Sequence, residues 1–201
     1  MRNNILLPTI AVLLFAVHAR AQGTHEVPRY ERFADLPASA GRRLPCRRAE
    51  GDECATRIRL REEVVVAGLP FKAGSILTYW EEDLSGTLAR DAEYHGVWLK
   101  GGTKVGVYFG WSGTLRGDQV IAGVPCKGDA TVSFADDQLG SCVLSGPLQV
   151  GDSTLPAGTD VSLRDGNVTW ATLAQSMRID GQDFAADARL RFDEHGRVIA
   201  P

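Results

Sequence analysis

Apolar and polar residues alternate in short stretches that recur from about residue 60 to the end of the chain. One seven-residue segment occurs five times, with its two apolar residues at alternate positions. Alternation with a period of two is typical of a strand with one buried face. The central apolar residues are spaced 28, 27, 29 and 29 residues apart: Leu77, Val105, Val132, Val161 and Leu190.

The residue three positions before each central apolar residue predicts a turn. It is Gly or Asp in every copy, and both residue types tolerate a positive φ. Each copy is therefore predicted to be a turn followed by a strand, with Val132 facing inward and Thr131 facing solvent. The predicted turn residues are Gly74, Gly102, Asp129, Gly158 and Asp187.

Two other segments recur around this unit. Upstream lies an apolar-x-Gly step such as Val66-Ala67-Gly68, and three residues after its Gly stands a bulky or core-type residue: Phe71, Leu99, Cys126 or Phe184. Downstream, a polar turn leads to a Gly-x-apolar segment, whose apolar residues are Leu88, Leu115, Cys142, Val168 and Val198. Each copy is predicted to contain three short strands within about 28 residues.

The chain is predicted to be all-β, because no segment shows a 3.6-residue apolar period. A unit of three short strands cannot bury its own apolar face, so neighbouring units must stack. A β-solenoid or β-roll and a twisted meander of hairpins both satisfy this need, and the inward residues on three separate strands favour the solenoid or roll. The predicted organisation is a signal peptide (1–21), a leader (22–45), an N-terminal cap (46–60) and a five-repeat domain (61–201).

The first 21 residues resemble a secretory signal peptide. Arg2 precedes an apolar run from Ile5 to Val17, and Ala19-Arg20-Ala21 offers small residues for cleavage after Ala21. The apolar run reaches only about 20 Å as a helix, too short to span a bilayer. We therefore expect a periplasmic or secreted protein that does not span the membrane after cleavage.

Four cysteines in an exported chain suggest two disulfides. Cys126 and Cys142 both stand at inward positions of one repeat, on strands expected to pack together. They are predicted to form one bond, in place of a hydrophobic pair. Cys46 and Cys54 would then close the N-terminal cap. Neither pair has the CxxC spacing of redox or zinc sites.

Composition and motifs exclude several function classes. A net charge of −3 gives no reason to expect nucleic-acid binding. The histidines beyond the signal peptide, His25, His95 and His195, stand at non-equivalent repeat positions, so no metal site is predicted. No nucleophile elbow, phosphate loop or dinucleotide motif occurs, and we expect neither a cofactor nor a catalytic residue.

The alternative to a binding module is a hydrolase acting on polysaccharide. Acidic residues cluster in turns such as Glu81–Asp83 and Asp136–Asp137, and glycosidases use two carboxylates roughly 5–10 Å apart. A cleft would need an insertion between repeats. The repeat spacing varies by only two residues, which favours a non-enzymatic module over a hydrolase.

Aromatic residues provide the candidate binding site. Trp80 and Tyr108 alternate with inward residues and are expected to lie side by side on the outer surface, with Trp98 and Trp111 in the neighbouring copy. Exposed aromatic rows bind sugars or partner proteins through their ring faces. The predicted function is an exported module that binds an envelope protein or glycan through one face.

The pattern of an aromatic residue, a polar turn and Gly-x-apolar resembles the bacterial MORN-like and YwqK-like tandem repeats. Residues 109–115 (Phe-Gly-Trp-Ser-Gly-Thr-Leu) and 192–198 (Phe-Asp-Glu-His-Gly-Arg-Val) carry this resemblance, which covers about residues 60–201. The period of about 28 residues is longer than is typical of those repeats. The resemblance implies an interaction or surface module and no shared catalytic residue.

Overall fold

The computed structural model describes residues 27–45, 55–80, 83–108 and 110–200, except for the side chains of Tyr108 and Ala200. The predicted signal peptide, Cys46 and Cys54 lie outside these residues. The described part of the chain is all-β: it contains 23 strands and two short 3-10 turns, Phe33–Asp35 and Ala38–Ala40, and no α-helix.

Twelve strands form one long antiparallel sheet, in which each strand pairs with the strands before and after it along the sheet. We number all strands of the chain in order. Those of the long sheet are β2 (Gly41–Arg43), β3 (Thr56–Leu60), β6 (Ile76–Trp80), β7 (Asp83–Thr87), β10 (Lys104–Tyr108), β11 (Gly110–Thr114), β14 (Thr131–Ala135), β15 (Gln138–Val143), β18 (Asp160–Arg164), β19 (Asn167–Thr172), β22 (Arg189–Phe192) and β23 (Val198–Ala200).

Five short hairpins alternate with pairs of these long strands. They are β4 (Val64–Val66) with β5 (Leu69–Phe71), β8 (Ala92–Tyr94) with β9 (Val97–Leu99), β12 (Gln119–Ile121) with β13 (Val124–Cys126), β16 (Leu148–Val150) with β17 (Ser153–Leu155), and β20 (Met177–Ile179) with β21 (Gln182–Phe184). A two-residue strand, β1 (Arg29–Tyr30), runs parallel to β4.

The apolar-x-Gly step is the turn of a short hairpin, not part of one strand. Ala67 and Gly68 have φ values of 50° and 80°, and His95 and Gly96 have 49° and 78°. A positive φ at both central residues is characteristic of a tight two-residue hairpin turn. The prediction of three strands per unit is therefore wrong, because the chain reverses within this step and makes two strands there.

The hydrophobic core lies between the short hairpins and one face of the long sheet. Phe71 of β5 packs over Gly86 of β7, and Leu99 of β9 packs over Gly113 of β11. The predicted inward positions are confirmed: Leu77, Val105, Val132, Val161 and Leu190 are each at most 2% exposed. The five predicted turn residues also have positive φ, between 59° and 85°.

The long sheet is a meander of hairpins and not a stack of parallel coils. Two-residue turns with positive φ, such as Asp136-Asp137 and Asp165-Gly166, send the chain straight back beside the strand it has just left. Within the described residues, β1 and β4 are the one parallel pair of strands. The preference for a solenoid is therefore incorrect, and the alternative of a meander describes the sheet.

The Cys126–Cys142 disulfide is present, with the two Cα atoms 5.7 Å apart. Cys142 pairs with Val161 as Gly86 pairs with Val105 and Gly113 with Val132. The predicted alignment of Cys142 with Leu88 and Leu115 is therefore wrong by two residues. Instead, Leu144 bridges to Cys126 as Leu88 bridges to Phe71 and Leu115 to Leu99. The bond joins two buried side chains, as predicted.

Candidate functional site

The face of the long sheet opposite the hairpins is here called the open face. The core side chains of the long strands point to the hairpin side of the sheet, away from this face. Its side chains alternate with the core residues: Thr78 follows Leu77, and Ser133 follows Val132. The hairpins bury one side of the sheet and leave the other side for solvent or a ligand.

A row of seven small residues crosses the open face, six with a side-chain hydroxyl and Gly106 without one. The cross-strand partners follow one another from β6 to β18, and we call them the hydroxyl row: Thr78, Ser85, Gly106, Ser112, Ser133, Ser141 and Ser162. Two of its hydroxyl oxygens, Ser133 Oγ and Ser141 Oγ, lie 2.7 Å apart and share a hydrogen bond. Small side chains on adjacent strands produce a shallow, polar surface.

Charged and aromatic residues stand at the two ends of the hydroxyl row. Arg57 pairs with Thr78 at one end. At the other end Ser162 pairs with Trp170, which in turn pairs with Arg191. With about 4.8 Å between neighbouring strands, the row from β3 to β22 is about 43 Å long.

Two guanidinium groups lie over the indole ring of Trp170. Arg189 Cζ is 4.7 Å from the centroid of the indole ring, and Arg191 Cζ is 5.8 Å from it. A cavity of about 200 Å³ opens beside the ring and is also lined by Asp160, Ser162 and Arg189. Trp170 is not among the aromatic residues that the sequence predicted for the binding site.

The predicted aromatic row is not assembled. Trp80 is on the open face and 38% exposed, but β7 separates its strand from that of Tyr108, whose side chain lies outside the described part. Trp98 is 42% exposed on the opposite, hairpin side, and Arg116 lies over its ring. Trp111 is only 4% exposed, because it is stacked on Phe134 in the core, so its predicted binding role is not compatible with its burial.

A groove separates the tips of the short hairpins from the turns of the long strands. A cavity of about 580 Å³ in this groove is lined by His95, Phe134, Asp137 and Asp165 among others. His95 Nδ1 lies 3.4 Å from Asp137 Oδ1 and joins a hairpin tip to a long-strand turn. Burial, and to a lesser extent the charge of Asp137, raises the pKa of Tyr94 beside it.

The carboxylates considered for hydrolysis lie far apart. Three strand spacings, from β7 to β14, separate Asp83 from the Asp136-Asp137 turn. That distance is about 14 Å, beyond the separation that glycosidase carboxylates have. Glu81 and Glu82 lie outside the described residues.

The residues that the structure describes contain no group of three or more His, Cys, Asp or Glu side chains arranged to hold a metal ion. No helix in them is long and apolar enough to cross a membrane.

Comparison of the chain with protein-family models, with curated proteins and with solved structures found no match. The resemblance to MORN-like and YwqK-like repeats therefore stays a prediction. The candidate site is the open face of the long sheet.

Proposed function

We propose that the protein is an exported, non-enzymatic tandem-repeat module of the bacterial envelope or extracellular space, and that it binds a glycan chain through the open face. The observation that carries this proposal is the hydroxyl row, which crosses seven long strands from Thr78 to Ser162. It offers a repeated set of hydrogen-bonding groups at nearly constant spacing. A polymer with repeating hydroxyl groups matches such a surface.

The chemistry of the open face favours a glycan over a protein partner. Protein interfaces have an apolar centre depleted of charged residues. Among the described residues, the large apolar side chains with the greatest exposure are scattered over different surfaces: Trp80, Trp98, Val120 and Ile199. Sugars, by contrast, combine hydroxyl groups with apolar ring faces, and Ser and Thr hydroxyls beside the Trp80 and Trp170 rings complement both.

The disulfide supports the exported location. Structural disulfides persist in oxidising compartments such as the periplasm and the extracellular space. The Cys126–Cys142 bond is buried, as a structural bond would be. N-terminal sequencing of the mature protein tests export directly: we expect Gln-Gly-Thr-His, starting at Gln22. Recovery of mature material that still begins at Met1 would contradict it.

The binding proposal is tested by retention of the purified mature protein on insoluble envelope polysaccharide. We expect the Trp80→Ala/Trp170→Ala variant, which loses two open-face rings, to be retained about tenfold less well than the wild type. Trp98→Ala is the matched control, because it removes an exposed ring from the hairpin side, and its retention should equal that of the wild type. Equal loss in both variants, or no retention of the wild type, would overturn the proposal.

The hydrolase alternative has its own measurement. Release of new reducing ends from the same polysaccharide, at a rate lost on Asp136→Ala, would replace the binding proposal with an enzymatic one. We expect no release above the buffer control.

A further inference from the structure

The charged side chains of the open face differ from those of the rest of the protein. Nine charged side chains project from the long strands onto this face. Each is assigned to it because it alternates with core residues along its strand or because its cross-strand partner faces outward. Seven are basic (Arg42, Arg57, Arg59, Lys104, Arg164, Arg189 and Arg191), and two are acidic (Asp83 and Asp160). Seven basic and two acidic groups give this face a net charge of +5, whereas the whole chain has a net charge of −3.

Four basic residues on the hairpin side are neutralised by neighbours. Arg116 Nε lies 2.9 Å from Asp91 Oδ2, and Arg178 Nε lies 3.9 Å from Asp183 Oδ1. Two further pairs, Arg90 with Glu63 and Lys100 with Asp129, are also in contact. By contrast, none of the seven open-face basic groups has a carboxylate within 4 Å among the described residues.

We propose that the glycan bound by the open face is a polyanion: an acidic polysaccharide whose carboxylate or sulfate groups pair with these arginines. This inference rests on the proposed function and adds the substrate class. Guanidinium groups bind carboxylate and sulfate with paired hydrogen bonds, and a charge complement raises both affinity and association rate. The acidic remainder of the protein repels the same polymer and directs it to this face.

The pocket beside Trp170 is the subsite that recognises one acidic sugar. Arg189 supplies the positive charge, and the indole supplies a surface for the sugar ring. Ser162 and Asp160 line the same pocket and can accept hydrogen bonds from sugar hydroxyls. Asp160 would repel the closely spaced phosphates of a nucleic acid. A sugar with one acidic group and several hydroxyls fits this combination better.

Isothermal titration of the mature protein with polygalacturonate tests the inference, with fully methyl-esterified polygalacturonate as the neutral polymer of the same backbone. We expect binding of the acidic form that weakens with added salt, and at least tenfold weaker binding of the ester. Arg189→Gln/Arg191→Gln should weaken the acidic complex about tenfold or more. Heparin is titrated in parallel as a sulfated probe.

The matched control is Lys72→Gln/Lys127→Gln, which removes the same charge from exposed positions outside the open face. Its affinity should stay within about twofold of the wild type, which excludes an effect of net charge alone. Circular dichroism melting of both double variants verifies that they are folded.

The outcomes separate the two proposals. Equal binding of the acidic and esterified polymers, lost on Trp80→Ala/Trp170→Ala, would retain glycan binding and overturn the polyanion. Absence of binding to the acidic polymer, its ester, heparin and envelope polysaccharide would overturn both. Tighter binding of a DNA duplex than of any glycan, lost in the Arg189→Gln/Arg191→Gln variant, would also overturn the inference and assign the face to nucleic acid.

Discussion

Phe71 fills the space that a side chain at Gly86 would need: a Cβ atom at Gly86 would lie only 2.6 Å from Phe71 Cδ1. The same large-against-small relationship joins Leu99 to Gly113, where a Cβ would lie 3.0 Å from Leu99 Cδ2. These two hairpins therefore close onto the long sheet at points where the sheet has no side chain. This contact allows the short strands to pack closely against the long strands and to exclude water from the core.

The first prediction concerns this contact. Gly86→Ala should lower the free energy of unfolding by about 1–3 kcal/mol, because the added methyl group collides with a fully buried ring. Gly117→Ala is the matched control, since no atom lies within 4 Å of its Cβ position, and it should change stability by less than about 0.5 kcal/mol. Urea titration followed by circular dichroism measures both, and equal destabilisation would contradict the proposed packing.

The disulfide occupies the equivalent place one unit further along. Cys126→Ala/Cys142→Ala should cost about 3 kcal/mol through loss of the cross-link. Cys126→Leu/Cys142→Gly reproduces the Leu99–Gly113 pair and should recover part of that loss, because it restores the buried volume. Melting temperatures of the two variants test this, and a lower value for the Leu/Gly protein than for the Ala/Ala protein would show that the positions are not equivalent.

The third prediction tests which face each strand residue occupies. Val132 is fully buried, so Val132→Asp places an unpaired charge in the core and should unfold the sheet, at a cost of several kcal/mol. Thr131, the adjacent residue, is exposed, and Thr131→Asp should change stability by less than about 0.5 kcal/mol. Thermal melts of both variants provide the measurement. Equal melting temperatures would contradict the assignment of faces.

The fourth prediction is a pH dependence. Burial, with the charge of Asp137 as the second cause, raises the pKa of Tyr94 above 10.0. The folded state thus holds this proton more tightly than the unfolded state. The resulting stabilisation is complete below pH 10.0 and is lost as the pH rises through the folded pKa.

Ultraviolet titration of tyrosinate measures the pKa of Tyr94, with Tyr94→Phe to identify its signal. Asp137→Asn should lower this pKa by removing one of its two causes, while burial keeps it above 10.0. Asp136→Asn, in the same turn, is the control and should leave it nearly unchanged. A larger shift from Asp136→Asn than from Asp137→Asn would contradict the assignment.

Local patterns predicted part of this fold correctly. The spacing of Leu77, Val105 and Val132 identified the buried position of successive strands, because inward residues alternate with a fixed period. The Gly or Asp before each strand identified the turns with positive φ. The short hairpins were missed because Val66-Ala67-Gly68 has no polar turn residue. Asp180-Gly181, at the equivalent step, is a recognised hairpin-turn sequence and would have revealed them.

A β-bulge explains why Trp170 was missing from the predicted site. A bulge between Ser162 and Leu163 inserts one residue into β19, and it turns Trp170 to the open face. Another, between Ser133 and Phe134, adds one residue to β15 before Cys142 and accounts for one of the two residues by which its alignment was wrong. A shift of one residue reverses the face of every later side chain in a strand, and no residue type in these segments marks the extra position.

The one-by-one order of the long strands has a consequence for how such a protein can evolve. Each unit adds two long strands, or about 10 Å of open face, and contacts chiefly the units on either side of it. Duplication or deletion of a unit would lengthen or shorten the face while leaving both ends unchanged. The number of units therefore sets the length of polymer that the open face can contact.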